Sequence, residues 1–229
     1  YGADDSGIGA NQTTVNVAEV EQIKEIASRV YGVSDIGEFD SQPLLEDEKY
    51  IVKLDWNINE QHRANFVYMF NEGNNTRNTS NSNRELRLDT QWYNKFEELN
   101  NFSAKLYSDW SDDFSTEMSV TKKSVETGQV SLKSELGLGD VTIRNIGDDR
   151  GSLAFGSDSF RHSNSLNNDL LIVKLDGSYL WDEHVVDFGI DYQILDIENQ
   201  FLPNSKGAVE FNSIADFESR DVSRYSYSN

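Results

Sequence analysis

The sequence has no cysteine among its 229 residues, which excludes disulfide frameworks, Cys-based zinc sites and thiol nucleophiles together. Basic residues are scarce: 20 Lys and Arg stand against 40 Asp and Glu, a formal charge of −20. A nucleic-acid binder needs a basic stripe to displace counterions from phosphates, so that class is excluded as well. No apolar run approaches the roughly 18–20 residues of a membrane helix. Hydrophobic residues reach only 37%, below ordinary globular usage, yet aromatics reach 11%, too many for a disordered acidic tail. No initiator Met, basic n-region or apolar h-region opens the chain, and its two ends read as cut from something longer.

Chemical motifs are equally sparse. His62, His162 and His184 are scattered, with no H-x-x-x-H spacing for zinc. There is no G-x-S-x-G elbow, and Gly7-Ile8-Gly9 and Gly137-Leu138-Gly139 lack the rest of any phosphate-binding pattern. Asp112-Asp113 and Asp148-Asp149 read as solvated turns. The expectation is no catalytic residue, no metal and no cofactor. The acids are dispersed, which reads as solvated outer loops; a sharper reading has them bind cations or bridge to lipopolysaccharide through divalent ions.

One helix is predicted over about 17–31. Val20, Ile23, Ala27 and Val30 recur at helical spacing, Asn16 and Glu19 form a capping-box-like start, and Gly32 supplies a stop. Residues 1–14 before it read as loop, and residues 35–48 as an acidic connector.

From Lys49 the period changes to two. Val52, Leu54, Trp56 and Ile58 alternate with Lys53, Asp55 and Asn57, and Ala64, Phe66, Tyr68 and Phe70 alternate with Arg63 and Asn65. Phe102, Ala104, Leu106 and Trp110 alternate with Lys105 and Asp109, and Phe114, Met118 and Val120 with Glu117. Leu171, Val173, Leu175, Tyr179 and Trp181 oppose Lys174 and Asp176; Val186, Phe188, Ile190, Tyr192 and Ile194 oppose Asp187 and Asp191. Strict alternation of this length marks strands with two chemically different faces. Short turns at 57–60, 111–113 and 182–183 make three hairpins, about 50–70, 102–120 and 171–194. The linkers between them are long and polar. Tight turns at one edge with long loops at the other is how transmembrane β-barrels are built.

Trp56, Trp110 and Trp181 each stand just before a short turn, on the apolar parity of their strand. An indole settles where hydrocarbon meets headgroups, so the three read as an aromatic girdle. Trp92 receives no role. The opposite parity, Lys53, Asp55, Arg63, Asn65, Lys105, Asp109, Glu117, Lys174, Asp176, Asp187 and Asp191, reads as lining a wet lumen. Closure in a membrane needs at least about eight strands, so six make an arc of a larger barrel.

Tyr50-Ile-Val-Lys-Leu-Asp-Trp-Asn-Ile-Asn-Glu-Gln-His-Arg63 resembles a hairpin of the TonB-dependent outer-membrane receptors, as do residues 106–117 and 186–192. Residues 205–217 resemble an extracellular segment of the large, Oar-like members. The resemblance implies a barrel of about 22 strands with an N-terminal plug, importing a scarce nutrient such as a siderophore, peptide or glycan. It also implies outer-membrane lipid and lipopolysaccharide as surroundings, and TonB as a partner reached only through a plug that this sequence does not display.

The expected fold is therefore all-β: an antiparallel up-and-down meander forming an arc of a transmembrane barrel, with one N-terminal loop helix. Residues 1–48 form an extracellular loop region, 49–198 the hairpins, and 199–229 a further extracellular loop segment. Two alternatives stay open. A soluble, secreted β-sandwich binding module needs the Val52/Leu54/Trp56 face covered by a second sheet. A barrel enzyme needs a buried acid pair or Ser/His/acid site.

Overall fold

A computed structural model describes residues 13–39, 41–79 and 82–229. The loop reading of residues 1–12 and the Gly7-Ile8-Gly9 stretch lie outside the described residues. In chain order the elements are α1 (Val17–Tyr31), β1 (Leu45–Asn57), β2 (His62–Arg77), β3 (Glu85–Arg87), β4 (Tyr93–Ser111) and β5 (Phe114–Ser131). There follow β6 (Asp140–Ile146), β7 (Gly151–Phe155), β8 (Asn164–Trp181), β9 (His184–Phe201), β10 (Ala208–Phe211), α2 (Ile214–Ser219) and β11 (Arg224–Ser226).

The alternating segments build one six-stranded antiparallel sheet in the order β1-β2-β4-β5-β8-β9. The three hairpins form where the short turns place them, and β2 with β4 and β5 with β8 then join the hairpins side by side. The sheet is open, with β1 and β9 at its free edges. Its strands run well past the alternating segments. β4 begins at Tyr93 instead of near Phe102, and β2 continues to Arg77 through what read as the start of a polar linker. Ladder hydrogen bonds need only backbone, so pairing continues where both faces are polar and alternation no longer reports it.

The remaining long linkers are not loops. Pieces of three separate segments assemble a second sheet, order β11-β10-β6-β7-β3, in which β10 pairs with β6 and β3 with β7 in parallel. Each of its inner strands contributes to one buried row: Phe211 lies opposite Ile143, Ile143 opposite Leu153, and Leu153 opposite Leu86. Val20, Ile23, Ile26 and Ala27 of α1 cluster with that row, together with Phe155 and Phe217. The helix starts as its sequence dictates, with the Asn16/Glu19 capping box closed in both directions and Gly32 ending it at φ 71°. We call this second unit the cap. It holds the main buried core of the described residues, and it includes a second helix, α2, that the sequence reading lacks.

Between the two sheets, residues 89–92 act as a junction. Asp89 accepts the Glu38 N–H at 3.0 Å and the Ser41 hydroxyl at 2.6 Å, and pairs with Lys133 at 3.3 Å. The Thr90 hydroxyl donates to Ile36 O, and the Gln91 side-chain amide donates to Asp140 and to Phe155 O. Trp92 is buried beside them, and its carbonyl accepts the Leu132 N–H. Gly156 also belongs to this junction: its φ is 81°, its N–H donates to Thr90 Oγ1, and a side chain there would strike the Gly139 carbonyl.

Candidate functional site

Cross-strand partners share a face, so the register sorts the main sheet into two chemistries. One row reads Trp56, Ala64, Leu106, Met118, Leu175 and Ile190; the next reads Leu54, Phe66, Ala104, Val120, Val173 and Tyr192. Val52, Tyr68, Phe102, Leu171 and Ile194 form the row beyond, where Lys122 is the first charge met on the apolar side of β5. Phe188 lays its ring over Gly177 on the same face, so that a Cβ on Gly177 would meet the ring at 2.6 Å. Among the described residues no second layer covers this apolar face. Trp181 is 67% and Ile190 70% exposed, although both belong to alternating apolar sets.

Trp56, Trp110 and Trp181 all lie on that face. The Trp110 indole donates to Thr116 Oγ1 at 2.9 Å and meets the His62 ring edge-on at 5.1 Å. Relative to the Trp56 row, Trp110 is four residues beyond Leu106 and Trp181 six residues beyond Leu175. From β1 to β8 there are four strand spacings of about 4.8 Å, and six residues of rise at about 3.3 Å, so both displacements are about 20 Å. A line through the indoles therefore crosses the strands at about 45°.

All eleven polar positions singled out in the sequence fall on the opposite face. Asn65 donates to Asp55 at 2.7 Å across β1 and β2, and Lys53 pairs with Asp55 at 3.2 Å. Lys105 reaches Glu117 and Lys174 reaches Asp191, each at 2.8 Å. Arg63 stacks on the Tyr107 ring, its guanidinium carbon 4.7 Å from the centroid. Near the short turns a groove of about 530 Å³ is lined by Arg63, Tyr107, Asp109, Glu117, Asp176 and Asp187, among others. This face is not uniformly polar: away from those turns it carries Ile51, Met69, Leu170 and Leu195 in one row.

Further from the turns the apolar face becomes acidic, with Glu48, Glu72, Glu98, Glu126 and Glu198 in a single register row. Among the described residues no group of three His, Cys, Asp or Glu is arranged to hold a metal ion. Within the cap, a cavity of about 320 Å³ lies among Tyr31, Val141, Phe155, Val209, Phe211 and Phe217, so the cap can accommodate an apolar group.

The histidines part company. His62 and His184 open strands after tight turns, whereas His162 is buried in the cap. Its Nδ1 accepts the Lys206 N–H at 3.0 Å, which fixes the neutral tautomer with Nε2–H donating to Ser157 O at 3.0 Å. Burial holds the imidazole pKa below its ordinary value, while burial pushes the neighbouring Asp140 carboxyl up. The unfolded chain therefore takes up the His162 proton first as pH falls below about 6.5, and the stability contributed by neutral His162 is lost from there downward. His162→Gln is expected to cost about 1–3 kcal/mol at pH 7, with the cost narrowing by pH 5. Asp140 has the opposite sign, favouring the folded state as its pKa is crossed on acidification, so the comparison is of variant against parent at each pH by urea unfolding.

Sequence reasoning did not find Asp89, Thr90, Gln91 or the Arg161/Tyr93 pair. The one signal on offer was four residues ending in Trp92 with no alternation, a mark of special local packing. No helix among the described residues is long and apolar enough to cross a membrane, which says nothing of β-barrels. No family model, curated protein or solved structure matches the chain.

Proposed function

We propose that the six-stranded sheet is an arc of an outer-membrane β-barrel, its apolar face toward lipid and its polar face toward the lumen. The cap then sits at the outer mouth, and the parent protein is a nutrient importer of the TonB-dependent receptor type. The observation that carries this reading is the uncovered apolar face: among the described residues, side chains patterned for burial have no protein over them, while the cap has a core of its own. Soluble monomers rarely expose a contiguous apolar patch beyond a few hundred Å². The 45° line through the indoles supports it, since membrane strands tilt by about 35–45° and girdle residues share a depth. So does strand length: Phe102 to Trp110 and Leu171 to Trp181 correspond to the roughly 9–11 residues that a tilted strand needs. The soluble sandwich has less support: among the described residues the second sheet packs with α1 and α2 instead of over Val52, Leu54 and Trp56.

Depth-dependent quenching tests the proposal. With the closed parent barrel reconstituted in vesicles whose lipids are brominated at defined acyl positions, variants retaining only Trp56, Trp110 or Trp181 as tryptophan are expected to quench alike, most strongly from bromines nearest the headgroup. A variant retaining only Trp92 is expected to quench severalfold less. Three unlike depth profiles, or no quenching, would remove the proposal.

A further inference from the structure

At the cap end of the main sheet, a cavity of about 350 Å³ opens between Tyr93 of β4 and the single helical turn Ser159–Arg161. Its two acids are already engaged. Asp158 accepts the Phe160 N–H at 2.9 Å and pairs with Arg87 at 3.1 Å; Asp140 accepts from Gln91 at 2.8 Å and from the Ser159 N–H at 3.1 Å. Arg161 is different. Its guanidinium carbon stands 4.3 Å from the centre of the Tyr93 ring, and its Nε is buried with no acceptor. Among the described residues its side chain makes neither an ion pair nor a hydrogen bond.

A buried N–H left without an acceptor costs about 1–3 kcal/mol, so the arrangement persists only because its surroundings hold it. The backbone supplies that hold. Arg161 N–H donates to Asp158 O at 2.8 Å, and the next residue, His162, is fixed through both ring nitrogens. The guanidinium is thus held in advance on an aromatic face, and the planar fork of N–H donors that any guanidinium carries matches a planar carboxylate. Phe160, 56% exposed, adds an apolar wall. A phosphate dianion in the same place faces the carboxylates of Asp140 and Asp158, whereas a monoanion meets half that repulsion.

We infer that this cavity binds a small organic monocarboxylate, its carboxylate on Arg161 and its apolar part against the Tyr93 and Phe160 rings. The site rests on these contacts alone and is independent of the transport reading.

Side-chain NMR of the full chain, labelled with ¹⁵N-arginine in detergent micelles, provides the test, with sodium benzoate as probe and inorganic phosphate as the contrasting arm. The Arg161 Nε–Hε resonance is expected to shift saturably with benzoate and at least tenfold less with phosphate at equal concentration. Arg161→Gln is expected to weaken benzoate binding at least tenfold, while Tyr93→Phe, which keeps the ring, stays within threefold. Absence of a saturable benzoate shift in the parent chain overturns the site, as does unchanged affinity in a folded Arg161→Gln. An equal response to phosphate overturns the carboxylate assignment. Should Arg161→Gln not fold, the parent chain's own Nε–Hε titration decides.

Discussion

Ala104→Arg is expected to cost about 2–4 kcal/mol of stability in a bilayer, while Ser103→Arg, one residue away, costs under about 1 kcal/mol. The contrast follows from pairing alone. Ala104 lies in the row of Leu54, Phe66, Val120, Val173 and Tyr192, midway along the proposed lipid-facing band. Ser103 points the other way, in the row of Lys53, Val67, Thr121, Ile172 and Gln193, toward the proposed lumen, where a guanidinium would meet water. Side-chain length, strand and local propensity are matched, so only the surroundings of the two faces differ. Urea titration of the closed parent barrel folded into vesicles measures both costs. Equal penalties on the two faces would contradict the lipid-facing assignment.

Leu153→Ala is expected to destabilise the cap by about 2–5 kcal/mol, enough to unfold so small a unit, while leaving the six-stranded sheet paired. Leu153 is fully buried at the centre of the four-strand row, between Ile143 and Leu86. Truncation opens a void that β3, three residues long, and β7, five residues long, are too short to close by shifting. Limited proteolysis should reveal new cuts in 132–163 and 202–229, with the fragments of the long hairpins still protected. Loss of both units together would mean that the cap core is required for the main sheet as well.

These two residues also mark what can and cannot be read from sequence. Ala104 belongs to a segment whose side chains alternate strictly, so its strand, its face and its hairpin partner follow from period two and a short turn. α1 is legible for the same reason, at helical spacing and with its own capping residues. Leu153 has no such company. The row it occupies draws one apolar residue from each of four short strands in three segments distant in the chain; the strands are three to seven residues long, some paired in parallel. No local period survives in pieces that short, and the intervening Gly, Asp and Asn read as loop. The Arg161 site was hidden likewise: an arginine from one linker stacks on a tyrosine that stood outside any alternating segment.

The edge strands carry a consequence of their own. β1 and β9 each have one neighbour, leaving thirteen and eighteen residues with half their amides and carbonyls unclaimed. In water, such a margin is a template onto which another copy can zip; β9 has no proline, and among the described residues no helix covers it. Stripped of detergent, the protein is therefore expected to self-associate edge to edge through these margins, most readily at acidic pH or high salt, where its charge of −20 is neutralised or screened.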